Sequence, residues 1–288
     1  VVRSVTSRTS EIVVDTHLHL WDLAVSEYAW LPEGSPLHAT FTAERARSEL
    51  DAAGVATAIL VQAEDSETDT EFLLAQAAEH EWVAGVVGWV RLDDPATAER
   101  QLDRWWEHPA FRGVRHLVHD DPRDDFLELP AVRRSLGLLA ERGVPFDVPD
   151  AWPRHLARVA DLAAALPELT IVVDHLGKPP RAREEFAAWR ATLREVAARP
   201  NTVAKVSGLQ RPGEPLTVEA ARPAVVAAVE LFGPARLMYG GDWPMTVPCG
   251  GYGSAWEVLS TLIGELPEGE RARVLAGTAA EIYGVATP

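Results

Sequence analysis

The sequence predicts an α/β fold, a single-domain (β/α)8 TIM barrel, and three observations carry that expectation. Short apolar runs alternate with amphipathic helical stretches from residue 12 almost to the C-terminus. Eight such runs can be counted. They are apolar throughout rather than alternating, as strands are when helices cover a parallel sheet. No Gly- or Ser-rich linker divides the 288 residues, a length that α/β barrels reach as one domain. A doubly wound open sheet is the alternative topology. No Gly-x-Gly-x-x-Gly follows the first run, which counts against a dinucleotide-binding sheet.

Taken in order, residues 1–11 read as a flexible polar N-terminal tail, without the apolar core of a signal peptide, and 12–288 as the barrel. Ile12–Asp15 is the first strand. Thr42–Ala53 is a helix with Ala and Leu at helical spacing, stopped by Gly54, and Ala56–Val61 is the second strand. Asp69–His80 is helical, followed by the strand Val83–Val90. Asp94-Pro95 opens the next helix, where proline suits the first turn, and it runs to Trp106 before the strand Phe111–Arg115. Leu129–Arg142 precedes the strand Val144–Val148, and Pro153–Leu166 precedes Thr170–Asp174. Arg183–Ala198 leads to Thr202–Val206, and Thr217–Phe232 to the last strand, Leu237–Gly240. A closing helical region covers Ser254–Tyr283, interrupted around Pro267.

Composition excludes several functions. The net charge of −16 argues against a nucleic acid or an anionic membrane surface as partner. No apolar run approaches the roughly 18 residues of a membrane span. One cysteine, Cys249, excludes a disulfide framework and a Cys-rich metal centre. The expectation is a soluble, cytoplasmic globular protein, with a homo-oligomer left open.

In a barrel, residues at the C-terminal strand ends build the active site. His17 and His19 in Asp15-Thr-His-Leu-His-Leu-Trp-Asp have the spacing that points both side chains to one face of a strand. Other strand ends offer Gln62 and Glu64, then Arg115, His116 and His119, then Asp147 and Asp150. The last three offer Asp174, His175 and Lys178; Lys205 and Ser207; and Asp242 with Trp243. His38, His80, His108 and His155 fall in loops or helices and are expected to face solvent. Each candidate has a structural alternative. Asp242 could cap a helix, Arg115 and His116 could pair with Asp120 or Asp121, Trp21 and Trp243 could be core, and Lys205 could lie buried in the barrel end.

Asp15–Asp22, Val172-Val-Asp-His-Leu-Gly-Lys-Pro, Lys205-Val-Ser-Gly-Leu and Met238-Tyr-Gly-Gly-Asp-Trp-Pro-Met, in that order, resemble the amidohydrolase superfamily. They are most similar to its amidohydrolase 2 branch of sugar-lactone hydrolases, over residues 12–284. The resemblance implies a barrel that hydrolyses a small lactone. It matches His17 and His19 to the strand-one metal pair, His175 to the strand-six histidine and Asp242 to the general base. The chain departs from the superfamily in lacking a strand-five histidine, where Phe146-Asp147-Val148 stands, and in having Arg115-His116 on strand four. A bridged two-metal site is therefore not expected. One Zn²⁺ held by His17, His19 and Asp242, with His175 adding to it, suits the ligand types; a site working without metal is the alternative. Arg115, His116, Trp21, Gln62, Lys178 and Trp243 are assigned to substrate binding. Rival readings are a metal-dependent decarboxylase on the same fold, a metal-dependent nuclease, which the charge disfavours, and a non-catalytic sugar-binding barrel.

Overall fold

The computed structural model describes residues 11–286. Of the tail expected over residues 1–11, only Glu11 lies among them, and it accepts a hydrogen bond from Arg271 (2.6 Å). Among the described residues, eight strands form one all-parallel sheet in sequential order: β1 (Val14–Leu18), β2 (Thr57–Val61), β3 (Val83–Gly88), β4 (Phe111–Arg115), β5 (Phe146–Val148), β6 (Ile171–Val173), β7 (Thr202–Val206) and β8 (Leu237–Tyr239). Helices occupy the crossovers: α1 (Ala43–Ala53), α2 (Glu67–Glu79), α3 (Pro95–Trp106), α4 (Pro130–Arg142), α5 (Leu156–Ala165), α6 (Arg183–Ala197) and α7 (Val218–Phe232). After β8 come α8 (Gly251–Ile263), α9 (Glu268–Ala272), a wider turn over Arg273–Gly277 and α10 (Thr278–Tyr283). The sheet closes where the β8 end meets β1. The Asp242 amide donates to the His17 carbonyl (2.7 Å) and the His19 amide to the Trp243 carbonyl (2.7 Å). This is the expected (β/α)8 barrel.

Helix boundaries follow local chemistry. Thr42, Ser66, Asp94 and Thr217 each accept a hydrogen bond from a first-turn amide, and Gly54 and Gly143 end α1 and α4 in the left-handed conformation. Each side-chain cap contributes about 1 kcal/mol. Helix α2 begins two residues before the expected Asp69, because Ser66 caps the amide of Asp69 (3.1 Å). β1 runs to Leu18, three residues past the expected end. Its Asp15, Thr16 and His17 are polar yet wholly buried, each with a partner inside the barrel.

The segment between β1 and α1 folds over the barrel mouth. Tyr28 Oη donates to Asp69 Oδ1 (2.9 Å), the Trp30 indole to the Ala63 carbonyl (2.8 Å), and the Trp21 indole to the Ala39 carbonyl (2.7 Å). Burial pushes the Asp69 carboxyl up to about 7, although the Ala63 amide and the Tyr28 hydroxyl pull it down. A carboxyl with a raised pKa holds its proton more tightly folded than unfolded. Its contribution is therefore full below the ordinary 3.8 and is lost as pH rises towards 7. Urea midpoints of the parent chain and Asp69→Asn, measured from pH 4 to 8, should show the parent's advantage shrinking by on the order of 4 kcal/mol across that window. A gap that stays constant, or widens with pH, contradicts this assignment.

Candidate active site

A cavity of about 390 Å³ opens at the C-terminal strand ends, and Arg115, His175, Lys178 and Asp242 line it together with His19 and Trp21. The β8 end sets its most reactive geometry. After Tyr239 the chain runs through Gly240 and Gly241 into Asp242, whose φ of 53° is left-handed. A Cβ on Gly240 would stand 2.7 Å from the His17 Cβ, and one on Gly241 would overlap Tyr252 and Asp15, so glycine lets β8 close on β1. Asp15 fastens that closure, accepting from the Gly241 amide (2.7 Å), the His17 amide (2.9 Å) and Tyr252 Oη (2.9 Å). Burial lifts its carboxyl to about 6 against those bonds.

Asp242 Oδ1 then faces three imidazole Nε2 atoms, those of His19 at 3.7 Å, His175 at 3.8 Å and His17 at 4.0 Å. Its Oδ2 accepts from the Gln210 amide (2.6 Å). Burial raises the Asp242 pKa, but His175, the His19 hydrogen bond and Lys178 outweigh it, and the group is held below the usual carboxylate range. Burial drives the His175 and His17 pKa values well down, so both rings are neutral near pH 7. His175 Nδ1 lies 2.9 Å from Ser207 Oγ. It sits in a turn at φ 54°, and Gly208, at φ +59°, leaves room for its ring, which any Cβ there would strike.

His17, His19 and Asp242 also suit a divalent ion. Their ligand atoms lie within 4.8 Å of one another, and the two Nε2 atoms are 3.1 Å apart. Two nitrogens on one tetrahedral Zn²⁺ sit about 3.4 Å apart, given bonds of about 2.0–2.1 Å. His19 Nδ1 contacts the Val61 carbonyl (2.8 Å), which takes its N–H and leaves the Nε2 lone pair for the site. His17 Nδ1 stands between Lys205 Nζ (3.3 Å) and Asp174 Oδ1 (3.3 Å).

Beneath these groups lies a buried charge cluster. Lys205 Nζ contacts Asp147 Oδ2 (2.5 Å), Asp174 Oδ1 (3.0 Å) and His17 Nδ1 (3.3 Å), and Arg115 Nε stands 3.4 Å from Asp174 Oδ2. Lys205 is fully buried, so it supports the floor and does not reach the cavity. Burial pushes Asp147 up to about 6. Asp174 is held low because Lys205 and Arg115 outweigh its burial.

Three of the residues that the sequence assigns to substrate binding lie away from the cavity lining. His116 is stacked on Phe126 (4.0 Å between ring centres) and held between Asp65 (3.0 Å) and Asp121 (3.3 Å). Gln62 donates to Asp65 Oδ1 and the Arg115 carbonyl. Trp243 packs edge-on against Phe41 in the core. His155, expected to face solvent, is wholly buried instead, at the residue that precedes α5. Sequence reasoning alone does not single out Gln210 or Asp15. The first lies in a loop without a pattern, while the second stands two residues before His17, where an orienting carboxylate could be sought.

The family model described as amidohydrolase matches residues 14–285. An L-fucono-1,5-lactonase of Burkholderia ambifaria is 32% identical, covering 96% of each chain. One from Burkholderia multivorans is 30% identical over 96% of this chain and 97% of its own. A crystal structure of a Burkholderia multivorans amidohydrolase with bound zinc superimposes with a TM-score of 0.87 at 30% identity, over 96% of this chain and 100% of that one. A putative 2-pyrone-4,6-dicarboxylic acid hydrolase from Pseudomonas putida gives 0.73 at 25% identity, over 95% and 98%. On the match of nearly its whole length, the chain belongs to the amidohydrolase family.

Proposed function

We propose that this protein hydrolyses the ring ester of a sugar-acid lactone, giving the open hydroxy acid, in a cytoplasmic setting. The observation that carries the reading is the convergence of one ionised carboxylate oxygen with three imidazole nitrogens at the floor of a small cavity. The two similar lactonases support the class of substrate. Asp242 Oδ1 accepts a proton from water as its oxygen attacks the carbonyl carbon, and Gln210 fixes the other carboxylate oxygen so that Oδ1 is the basic one. Arg115, a cavity-lining residue held by its Nη1 bond to the Gln62 carbonyl, brings a guanidinium charge to the site as negative charge grows on the carbonyl oxygen. With Ser207 on its Nδ1, neutral His175 carries its proton on Nε2 and passes it to the ring oxygen as the C–O bond breaks; Asp242 then returns a proton. A zinc ion on His17, His19 and Asp242, when bound, would supply Lewis-acid polarisation of the carbonyl.

A pH-indicator assay with a polyhydroxylated 1,5-lactone should register one proton per turnover. The same protein after chelation, with its metal content measured, separates two versions: lost activity that returns with Zn²⁺ assigns carbonyl polarisation to the ion, and full activity assigns it to Arg115 and the imidazoles. No acid from any lactone, with CO2 released from an aromatic acid, would replace the reading with a decarboxylase.

A further inference from the structure

The strand order places the reacting groups and the opposite cavity wall on different sides of the barrel. His19 and Asp242 stand at β1 and β8, which are neighbours at the closure, while β4 and β5 lie across the mouth. From those far strands the loops deliver His119 and Asp150 to the same cavity. Both carry a buried polar atom without a hydrogen-bond partner, His119 Nδ1 and Asp150 Oδ1. Most buried polar atoms in folded proteins are paired, and these two orphans belong to residues that line the cavity, where a ligand group could approach. Asp150 also holds a left-handed backbone (φ 43°), as does Lys178 (φ 63°), whose Nζ stands 3.8 Å from Asp150 Oδ2. Backbone strain of this kind persists where a site requires it. The rest of the lining is mainly apolar, including Trp21, Trp30, Leu37 and Met245, with Ser35, Asp120 and Gln210 as further polar residues.

Resting on the lactonase reading, we infer that Asp150 and His119 form a hydroxyl-reading subsite that selects lactones with free hydroxyls on the ring edge remote from the carbonyl. A hydroxyl can donate to the partly exposed Asp150 carboxylate and accept from an imidazole N–H or from Lys178, so the three groups satisfy both its roles. A second substrate carboxylate at that edge would meet the Asp150 carboxylate, which selects against dicarboxylic lactones.

The test compares kcat/KM for a polyhydroxylated 1,5-lactone and for unsubstituted δ-valerolactone in the parent chain, Asp150→Asn and His119→Phe. Asparagine tolerates the left-handed backbone, which guards against misfolding at that position. Each substitution should lower the ratio of the two kcat/KM values about tenfold or more, mostly through KM, because a site built to bond a hydroxyl loses its preference when a partner is removed. An unchanged ratio in both variants, with the parent enzyme opening both lactones, overturns the subsite and leaves the lactonase reading standing. A parent enzyme that opens neither lactone overturns both.

Discussion

Asp242→Asn is expected to lower kcat for lactone opening by about 10²–10⁴-fold, the range for removal of a general base, with KM little changed. Asparagine keeps the volume and accepts the left-handed backbone at φ 53°, so the β8–β1 hydrogen bonds survive. What is lost is the one ionised oxygen facing His17, His19 and His175. Steady-state kinetics with an indicator, beside a thermal melt showing an intact fold, decides the matter. A variant retaining more than about a tenth of the parent kcat would remove Asp242 from the base role.

Lys205→Met should be the most destabilising single change in the barrel interior, costing about 3–5 kcal/mol. Lys205 is the shared counter-ion of Asp147 and Asp174, and all three are wholly buried. Methionine fills similar volume but leaves two carboxylates with Arg115 as the nearest remaining cation, in contact with Asp174 alone. Because Asp147 is already raised to about 6, it can take up a proton in place of the missing charge, and the deficit should narrow at pH 5 relative to pH 8. Urea unfolding at the two pH values measures this. Equal stability of variant and parent at pH 8 would show that the cluster does not depend on the ammonium.

The barrel is legible in the sequence because buried parallel strands leave apolar runs that need no partner to be recognised. Their lengths are less so. β5, β6 and β8 are three residues each, shorter than the apolar runs that mark them, because an apolar residue can be buried beside a ladder without joining it. At the site, motif and strand position point to His17, His19, His175 and Asp242, and the fold brings them together. His116 and Gln62 sit at equivalent strand ends, yet carboxylates take their polar atoms: Asp121, a partner the sequence offers His116, and Asp65, which the loop after β2 brings to both. Trp243 adjoins Asp242 but points to Phe41, because the tight turn sends successive side chains apart. Gln210 acquires its role only when the loop after β7 meets the end of β8.

The bonds that seal the barrel and the bonds that aim its chemistry are the same ones. Asp15 and Gly241 are 226 positions apart, and their contact both joins the first strand to the last and fixes the carboxylate next to them. No contiguous fragment lacking either of these two strands could hold the reacting groups. Competence therefore arrives as a late, all-or-none event in the making of the molecule, once nearly the whole barrel is available to fold. A fluctuation that unzips the seam would part the carboxylate from the imidazoles, so amide exchange at Asp242 and His19 is expected to track opening of the barrel together with loss of activity.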